Sequence, residues 1–196
     1  MVTIIMKSNI SIERVAELFG TNVDALGEKC RNFYDTLDMD YEVVEGKEKE
    51  DLILDILRKI DSDSQTIGAP ERTGVWQRGW EENLNDFRNT KDANSVVPKF
   101  IRPNNVIRFD GKFIKPANHH FEKDYAKLIQ LYVYHKLLTS DIKNVYEFGA
   151  GSGFNLVNIM KFNPSLNLYG SDFVQSSVDL INELGNHFKT SIESEV

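Results

Sequence analysis

Residues 141–188, DIKNVYEFGAGSGFNLVNIMKFNPSLNLYGSDFVQSSVDLINELGNHF, decide how the chain is read. Val145-Tyr146-Glu147-Phe148 is a short, mostly apolar run of the kind that forms a buried parallel strand. Gly149-Ala150-Gly151-Ser152-Gly153 follows as a loop. Leu156, Val157, Ile159 and Met160 then keep helical spacing until Asn163-Pro164 stops them. Leu166 to Ser171 reads as a second strand that delivers Asp172 at its carboxyl end. Ser176 or Ser177 is placed to cap a second helix carrying Val178, Leu180, Ile181 and Leu184, with Gly185 to end it. The order is strand, glycine loop, helix, strand, helix.

The physics of this order is specific. Glycines after a strand let the backbone turn sharply and let a ligand lie against bare main chain. The helix that follows presents free N–H groups and the positive end of its dipole. A carboxylate at the end of the next strand, about 20 residues on, lies beside the same crevice and is able to accept hydrogen bonds from ribose hydroxyls. A dinucleotide fingerprint, G-x-G-x-x-G, needs a glycine at 154, where this chain has Phe154. The observed pattern is E-x-G-x-G-x-G. Glu147 would repel a pyrophosphate; it suits a ligand with a positive charge at that point, such as an amino-acid ammonium.

On Glu147, Gly149, Gly151 and Gly153, followed by Asp172, the stretch resembles the class I S-adenosylmethionine-dependent methyltransferases. The resemblance covers 143–188, about a quarter of the chain. It implies a Rossmann-like sheet, begun here as β-α-β-α. The loop Gly149, Ala150, Gly151 and Gly153 would hold the methionine part of S-adenosylmethionine. Glu147 would meet the ammonium region, Asp172 the ribose hydroxyls, and Phe173 the adenine. No catalytic residue is assigned: His119, His120, Glu122 and Tyr125 are near enough in sequence to be considered as a base, and none is chosen. The family's sheet usually has seven strands. The sequence after the second helix, KTSIESEV (189–196), reads as stopping where a third would begin. The chain is therefore expected to be the N-terminal part of a larger methyltransferase, or else to have its sheet completed by a second copy of itself.

Upstream, the sequence reads as a mainly helical region with one hairpin. Ser11 caps a helix through Val15, Ala16 and Leu18 that ends at Gly20. Thr21-Asn22 offers a second cap before Val23, Leu26, Cys30 and Phe33. Two short helices invite a helix-turn-helix reading, but the second carries Asp24, Glu28 and Asp35 and no basic cluster to meet phosphates. A small helical hairpin is preferred. Residues 38–50 read as a charged, exposed run. Leu52, Ile53, Ile56, Leu57 and Ile60 form one helical stripe, and 61–74 is polar, with Gly68, Pro70 and Gly74, as in a linker. In 75–90, Trp76, Trp80, Leu84 and Phe87 keep a helical interval. Trp76 and Trp80 beside Arg78 are packing anchors or, less simply, an aromatic cradle for a ligand. Asp110-Gly111, between Val106–Phe109 and Lys112–Lys115, predicts a β-hairpin with a type I′ turn inside 100–118. Residues 121–138 predict an amphipathic helix with Phe121, Tyr125, Leu128, Ile129, Tyr132 and Leu137 on its core face. The domain boundaries drawn on this basis are 1–74, 75–120 and 121–196.

Composition bounds the rest. The 196 residues carry 23 Lys and Arg against 30 Asp and Glu, a net charge of −7, and 41% are apolar. That is close to the globular average and enough for a packed core. No run approaches the roughly 18–20 apolar residues needed to cross a bilayer, and the first residues lack the order of a secretory signal. A single cysteine excludes an internal disulfide and a cysteine-rich zinc site, which makes a reducing cytoplasm the expected compartment. His119, His120 and His135 have no acidic or cysteine partners at ligand spacing, so no metal is expected. The acidic balance disfavours nucleic acid as a partner. The reading that results is a methyltransferase acting on a small molecule or saccharide. The alternative is a non-catalytic interaction module with an incomplete nucleotide-type fold.

Overall fold

The computed structural model describes residues 8–61, 71–101, 103 and 105–196. The chain is mixed α/β with two small sheets, one antiparallel and one parallel. It divides into two compact units, one from 1–69 and 102–132 and one from 70–101 and 133–196. This division differs from the boundaries 1–74, 75–120 and 121–196, because sheet pairing draws the hairpin back to the N-terminal segment. The linker expected over 61–74 lies largely outside the described residues; Asp61 closes one helix, and 71–74 already belong to the next.

The first unit is built on the hairpin. Strands β3 (Ile107–Phe109) and β4 (Lys112–Pro116) pair antiparallel, with Ile107 opposite Ile114. Asp110 and Gly111 both have positive φ, 48° and 75°, as the predicted type I′ turn requires. The hairpin does not stand alone. Strand β2 (Asp40–Val43) pairs with β4, and β1 (Ser8–Asn9) pairs with β2, giving the order β1-β2-β4-β3. The sequence reading of 38–50 as a charged, exposed run is corrected for 39–44, which are buried or half-buried, while 45–50 are exposed as expected. Charge does not prevent a strand whose main chain is paired on both sides and whose side chains are only half buried.

Helix α1 (Ile12–Leu18) begins as expected, with the Ser11 hydroxyl accepting from the Arg14 N–H at 3.3 Å. The next helix is interrupted. The Asn22 side chain accepts from the Ala25 N–H, but only a 3-10 turn over Asp24–Leu26 follows, and α2 (Glu28–Tyr34) starts after Gly27. The Arg31 guanidinium donates to the carbonyls of Val23 and Asp24, so this side chain is held against its own turn. Cys30 is fully buried, and burial pushes its thiol pKa up to about 11. Helix α3 (Gly46–Asp61) buries none of its residues.

Helix α5 (Phe121–Leu138) contributes 121–132 to the first unit and 133–138 to the second. Its span matches the prediction, and its core face matches in part. Phe121, Leu128, Leu131, Tyr134 and Leu137 are buried, whereas Ile129 is 63% and Tyr132 41% exposed. Phe121, Leu128 and Leu137 belong to the expected face, and Leu131 and Tyr134 carry burial on around the helix in steps of three residues.

The second unit is a parallel sheet with helices between its strands. Strands β5 (Asn144–Phe148), β6 (Asn167–Ser171) and β7 (Ile192–Glu195) pair in that order. Helix α6 (Phe154–Phe162) joins the first two, and α7 (Gln175–Phe188) joins the last two. The third strand corrects the β-α-β-α expectation: 192–195 is already paired with 168–171. Both helices cover one face. A side chain at Gly170 would meet Ala150, Leu156 of α6 and Ile181 of α7 together. Leu156, Leu168, Leu180, Ile181 and Leu184 are essentially fully buried there, each contributing about 1.5–3 kcal/mol relative to exposure. Tyr134 adds a ring stacked on Phe162, with centroids 4.2 Å apart. The opposite face is open, so β5 is not buried on both sides as its composition suggested. Phe148 is 83% exposed, and a shallow depression of about 310 Å³ lies between Tyr146, Tyr169, Glu193 and Glu195.

Helix α4 (Glu71–Thr90) belongs to this unit and packs on α7. Arg88 donates twice to Glu183 (2.8 and 2.6 Å). Asn83 is buried and ties the helix to the Ser95 and Val97 carbonyls.

Two expectations about α7 are also corrected. Neither Ser176 nor Ser177 caps it. The N-cap is Val174, whose N–H is taken by Asp172, and the Ser177 hydroxyl instead donates to the Gly151 carbonyl. Gly185 does not end the helix, which runs on to Phe188 and closes at Lys189 with φ 53°. A Cβ at Gly185 would lie 2.1 Å from the Ile192 carbonyl oxygen. The glycine is there for close packing of helix on strand, not for termination.

Candidate functional site

The glycine loop and its surroundings lie wholly in the second unit. Gly149, Gly151 and Gly153 have φ of 67°, 55° and 73°, so the loop holds three residues in the left-handed region that side chains resist. Four hydrogen bonds fix its path. The Ala150 N–H donates to the Ser171 carbonyl (3.0 Å) and the Gly153 N–H to the Ala150 carbonyl (2.9 Å). The Gly151 N–H donates to Asp172 (2.8 Å), and the Ser152 hydroxyl to the Val96 carbonyl (2.5 Å). Together with the bond from the Ser177 hydroxyl to the Gly151 carbonyl, they lock the strand ends, the loop and the start of α7 into one piece.

Asp172 is 6% exposed. One carboxylate oxygen accepts from Gly151 and the other from Val174, at 2.8 and 2.9 Å. Each oxygen retains capacity for a second bond, but the group's first task is to hold the loop against α7. Phe173 beside it is 67% exposed, a free ring at the carboxyl end of the sheet.

Glu147 sits one residue before the strand ends, on the helix-covered face. One oxygen accepts from the Asn155 side chain at 2.5 Å, at the first turn of α6. The other is buried with no hydrogen-bond partner. Burial raises its pKa above the ordinary glutamate value, partly offset by the Asn155 hydrogen bond. A buried carboxylate oxygen left unsatisfied is costly unless something completes it, and an ammonium group beside the loop is the complement its charge calls for.

Trp80 lies on the loop. An ideal Cβ built on Gly151 would be 2.8 Å from the Trp80 ring, so the indole packs on bare main chain. Trp76 stacks on Trp80 (centroids 5.8 Å apart, 25° between planes), and Phe100 meets both edge-on at 6.1 and 6.3 Å. Trp80 is 8% exposed, while Trp76 and Phe100 are 39% and 59% exposed. Of the expected cradle, Trp80 is the packing anchor. The Arg78 guanidinium lies back toward Gly74 on its own helix.

The structure therefore brings Glu147, Gly149, Ala150, Gly151, Gly153, Asp172 and Phe173 to one end of one sheet. Sequence reasoning missed Asn155 and Ser177, which carry no pattern of their own, and the seat of Trp80 on Gly151. The residues considered as a base fall elsewhere. His119, His120, Glu122 and Tyr125 belong to the first unit; Glu122 accepts from the Asn105 N–H at 2.7 Å, and Tyr125 stacks on Phe121. His135 is buried, with Nδ1 unpartnered. Among the described residues, no group of three or more His, Cys, Asp or Glu is placed to hold a metal ion. No helix among them is long and apolar enough to cross a membrane. Comparisons with protein-family models, with curated proteins and with solved structures find no match for this chain.

Proposed function

We propose that the second unit is the beginning of a Rossmann-like S-adenosylmethionine-binding domain, and that the protein serves methyl transfer to a small-molecule or saccharide acceptor. The observation that carries the reading is the buried, unpartnered oxygen of Glu147 next to three left-handed glycines. A positively charged amino-acid group on bare main chain answers both. The parallel order β5-β6-β7, with α6 and α7 on one face, supports the same architecture. The residues fit the cofactor in part. Glu147 and the loop would take the methionine end and Phe173 the adenine. Asp172 would reach ribose hydroxyls only through the lone pairs its two main-chain partners leave. When bound, the cofactor supplies a methyl group on a sulfonium, open to displacement by an O, N or C nucleophile. The chain's own contribution is alignment.

A second reading has its own support. Asp172 and Trp80 already satisfy and cover much of the loop, as in a module whose glycines serve packing alone. Titration calorimetry with S-adenosylmethionine and S-adenosylhomocysteine separates the two. The first reading expects binding that strengthens as pH rises through the raised Glu147 pKa, with a proton released, because the ammonium needs the carboxylate. In the ligand-free chain the sign is reversed. A folded pKa above the unfolded one makes ionisation of Glu147 cost stability as pH rises past the ordinary value. Absence of binding at every pH supports the packing module.

A further inference from the structure

We propose that helix α3 is a self-association surface, whose uncovered apolar stripe packs antiparallel on the same helix of a second copy of the chain. The inference is independent of the reading of the glycine loop.

Helix α3 is 16 residues long and buries none of them. Ile53, Ile56, Leu57 and Ile60 step by 3, 1 and 3 residues and so share one side of the helix. They are 37% to 70% exposed. Single aliphatic side chains are common on protein surfaces; a continuous stripe of them marks a place of contact.

Charge chooses the occupant. Acidic residues outnumber basic ones on α3, five to four, and the whole chain carries −7. A helix that lies on a membrane surface needs a basic polar face, so lipid fits poorly. A second α3 fits well. Glu48 and Lys59 are eleven residues apart, close to three full turns, and therefore lie on one flank of the stripe at its opposite ends. In an antiparallel pair with the two-fold axis between Ile53 and Ile56, Ile53 meets Ile56 of the second copy. Ile60 then covers the stem of Lys49, and Glu48 comes opposite Lys59. The symmetry repeats each contact. A parallel pair would set Glu48 on Glu48 and Lys59 on Lys59. Antiparallel packing also aligns the helix dipoles favourably. Within the chain, Lys59 pairs with Asp55 (2.6 Å) and Glu48 with Lys115 (3.4 Å), all four side chains being exposed. Such pairs contribute little and exchange readily. At 1.5 Å per residue α3 is about 24 Å long. The contact is smaller than a permanent interface, and the pairing is reversible.

Sedimentation equilibrium of the full chain over a wide range of concentration supplies the test. A reversible dimer is expected. Ile56→Glu is expected to raise its dissociation constant more than about tenfold, with unchanged circular dichroism, because Ile56 is exposed rather than part of a core. Glu48→Lys and Lys59→Glu each bring like charges together and are expected to weaken the dimer about fivefold. Mixed in equal amounts, these two variants are expected to recover association, since their heterodimer has opposite charges at both ends. A chain that is monomeric at every concentration overturns the proposal. So does a dimer that Ile56→Glu leaves intact, or a mixture of the charge variants that does not recover. Co-sedimentation with phosphatidylserine-containing vesicles is run alongside. Vesicle binding that Ile56→Glu abolishes, in a chain that stays monomeric, assigns the stripe to lipid and overturns the proposal. If Ile56→Glu does not fold, the charge variants and their mixture decide the matter.

Discussion

The side chain that Gly111 lacks, in the hairpin of the first unit, would point into open space; the one that Gly185 lacks, in α7 of the second, would sit 2.1 Å from a carbonyl oxygen. Both glycines look alike in the sequence, as punctuation between apolar runs. One serves a left-handed turn, the other an approach of helix to strand that any Cβ would prevent. In the antiparallel unit Gly111 serves direction, in the tight turn that joins β3 to β4. In the parallel unit Gly149, Gly151 and Gly153 also serve direction, but Gly185 serves proximity, because α7 lies flat on a short strand whose main chain is already committed.

Substitution separates these roles. Gly185→Ala gives the largest effect. Helix propensity alone predicts a gain of about 1 kcal/mol, whereas the clash with Ile192 predicts a loss at or above the ~3 kcal/mol upper range of overpacking. Denaturant unfolding reads the sign directly, and a stabilised variant would break the comparison. Gly111→Ala meets no neighbour but must hold φ at 75°, so a loss of about 1–2 kcal/mol is expected from the left-handed backbone alone. The smallest effect comes from the ion pair beside that turn. Arg14 donates to both Asp110 oxygens at 3.1 and 2.6 Å and to Glu17 at 2.5 Å, but Arg14 and Asp110 are about a third or more exposed. Arg14→Ala is expected to lower the melting temperature only slightly, and less at high salt. A larger, salt-insensitive loss in thermal melts would mean that the arginine stem is packed rather than merely paired.

The two units also differ in how far the sequence discloses them. From Val145 to Leu184 the elements follow one another along the chain, and each strand pairs with the next, so local pattern and topology coincide. In the first unit, Ser8–Asn9 and Asp40–Val43 become strands only by pairing with partners more than 30 residues away. Nothing in DYEV announces that. Strand β7 was hidden for a related reason: Ile192 is its only buried apolar residue, and the glutamates around it face the open side of the sheet. In α5 the apolar content was visible but its phase only in part, because aromatic and aliphatic residues occur on all sides of the helix. At the site, Glu147, the glycines and Asp172 stand out by residue type and spacing. Their partners do not. Asn155, Ser177 and Trp80 are common residue types whose role arises only when the loop closes on them.

Asn182, on α7, closes one margin of the parallel sheet. Its side-chain amide donates to the Ser194 carbonyl (3.0 Å) and accepts from the Ser194 N–H (2.8 Å). It imitates a neighbouring strand at the outer margin of β7 and blunts that margin against further pairing. Across the sheet, β5 has β6 on one side and, among the described residues, no strand on the other. The sheet thus has one hemmed border and one open selvedge. Any additional strand, whether from more of the same polypeptide or from a second copy, would be laid along Asn144–Phe148, within a few residues of the glycine loop.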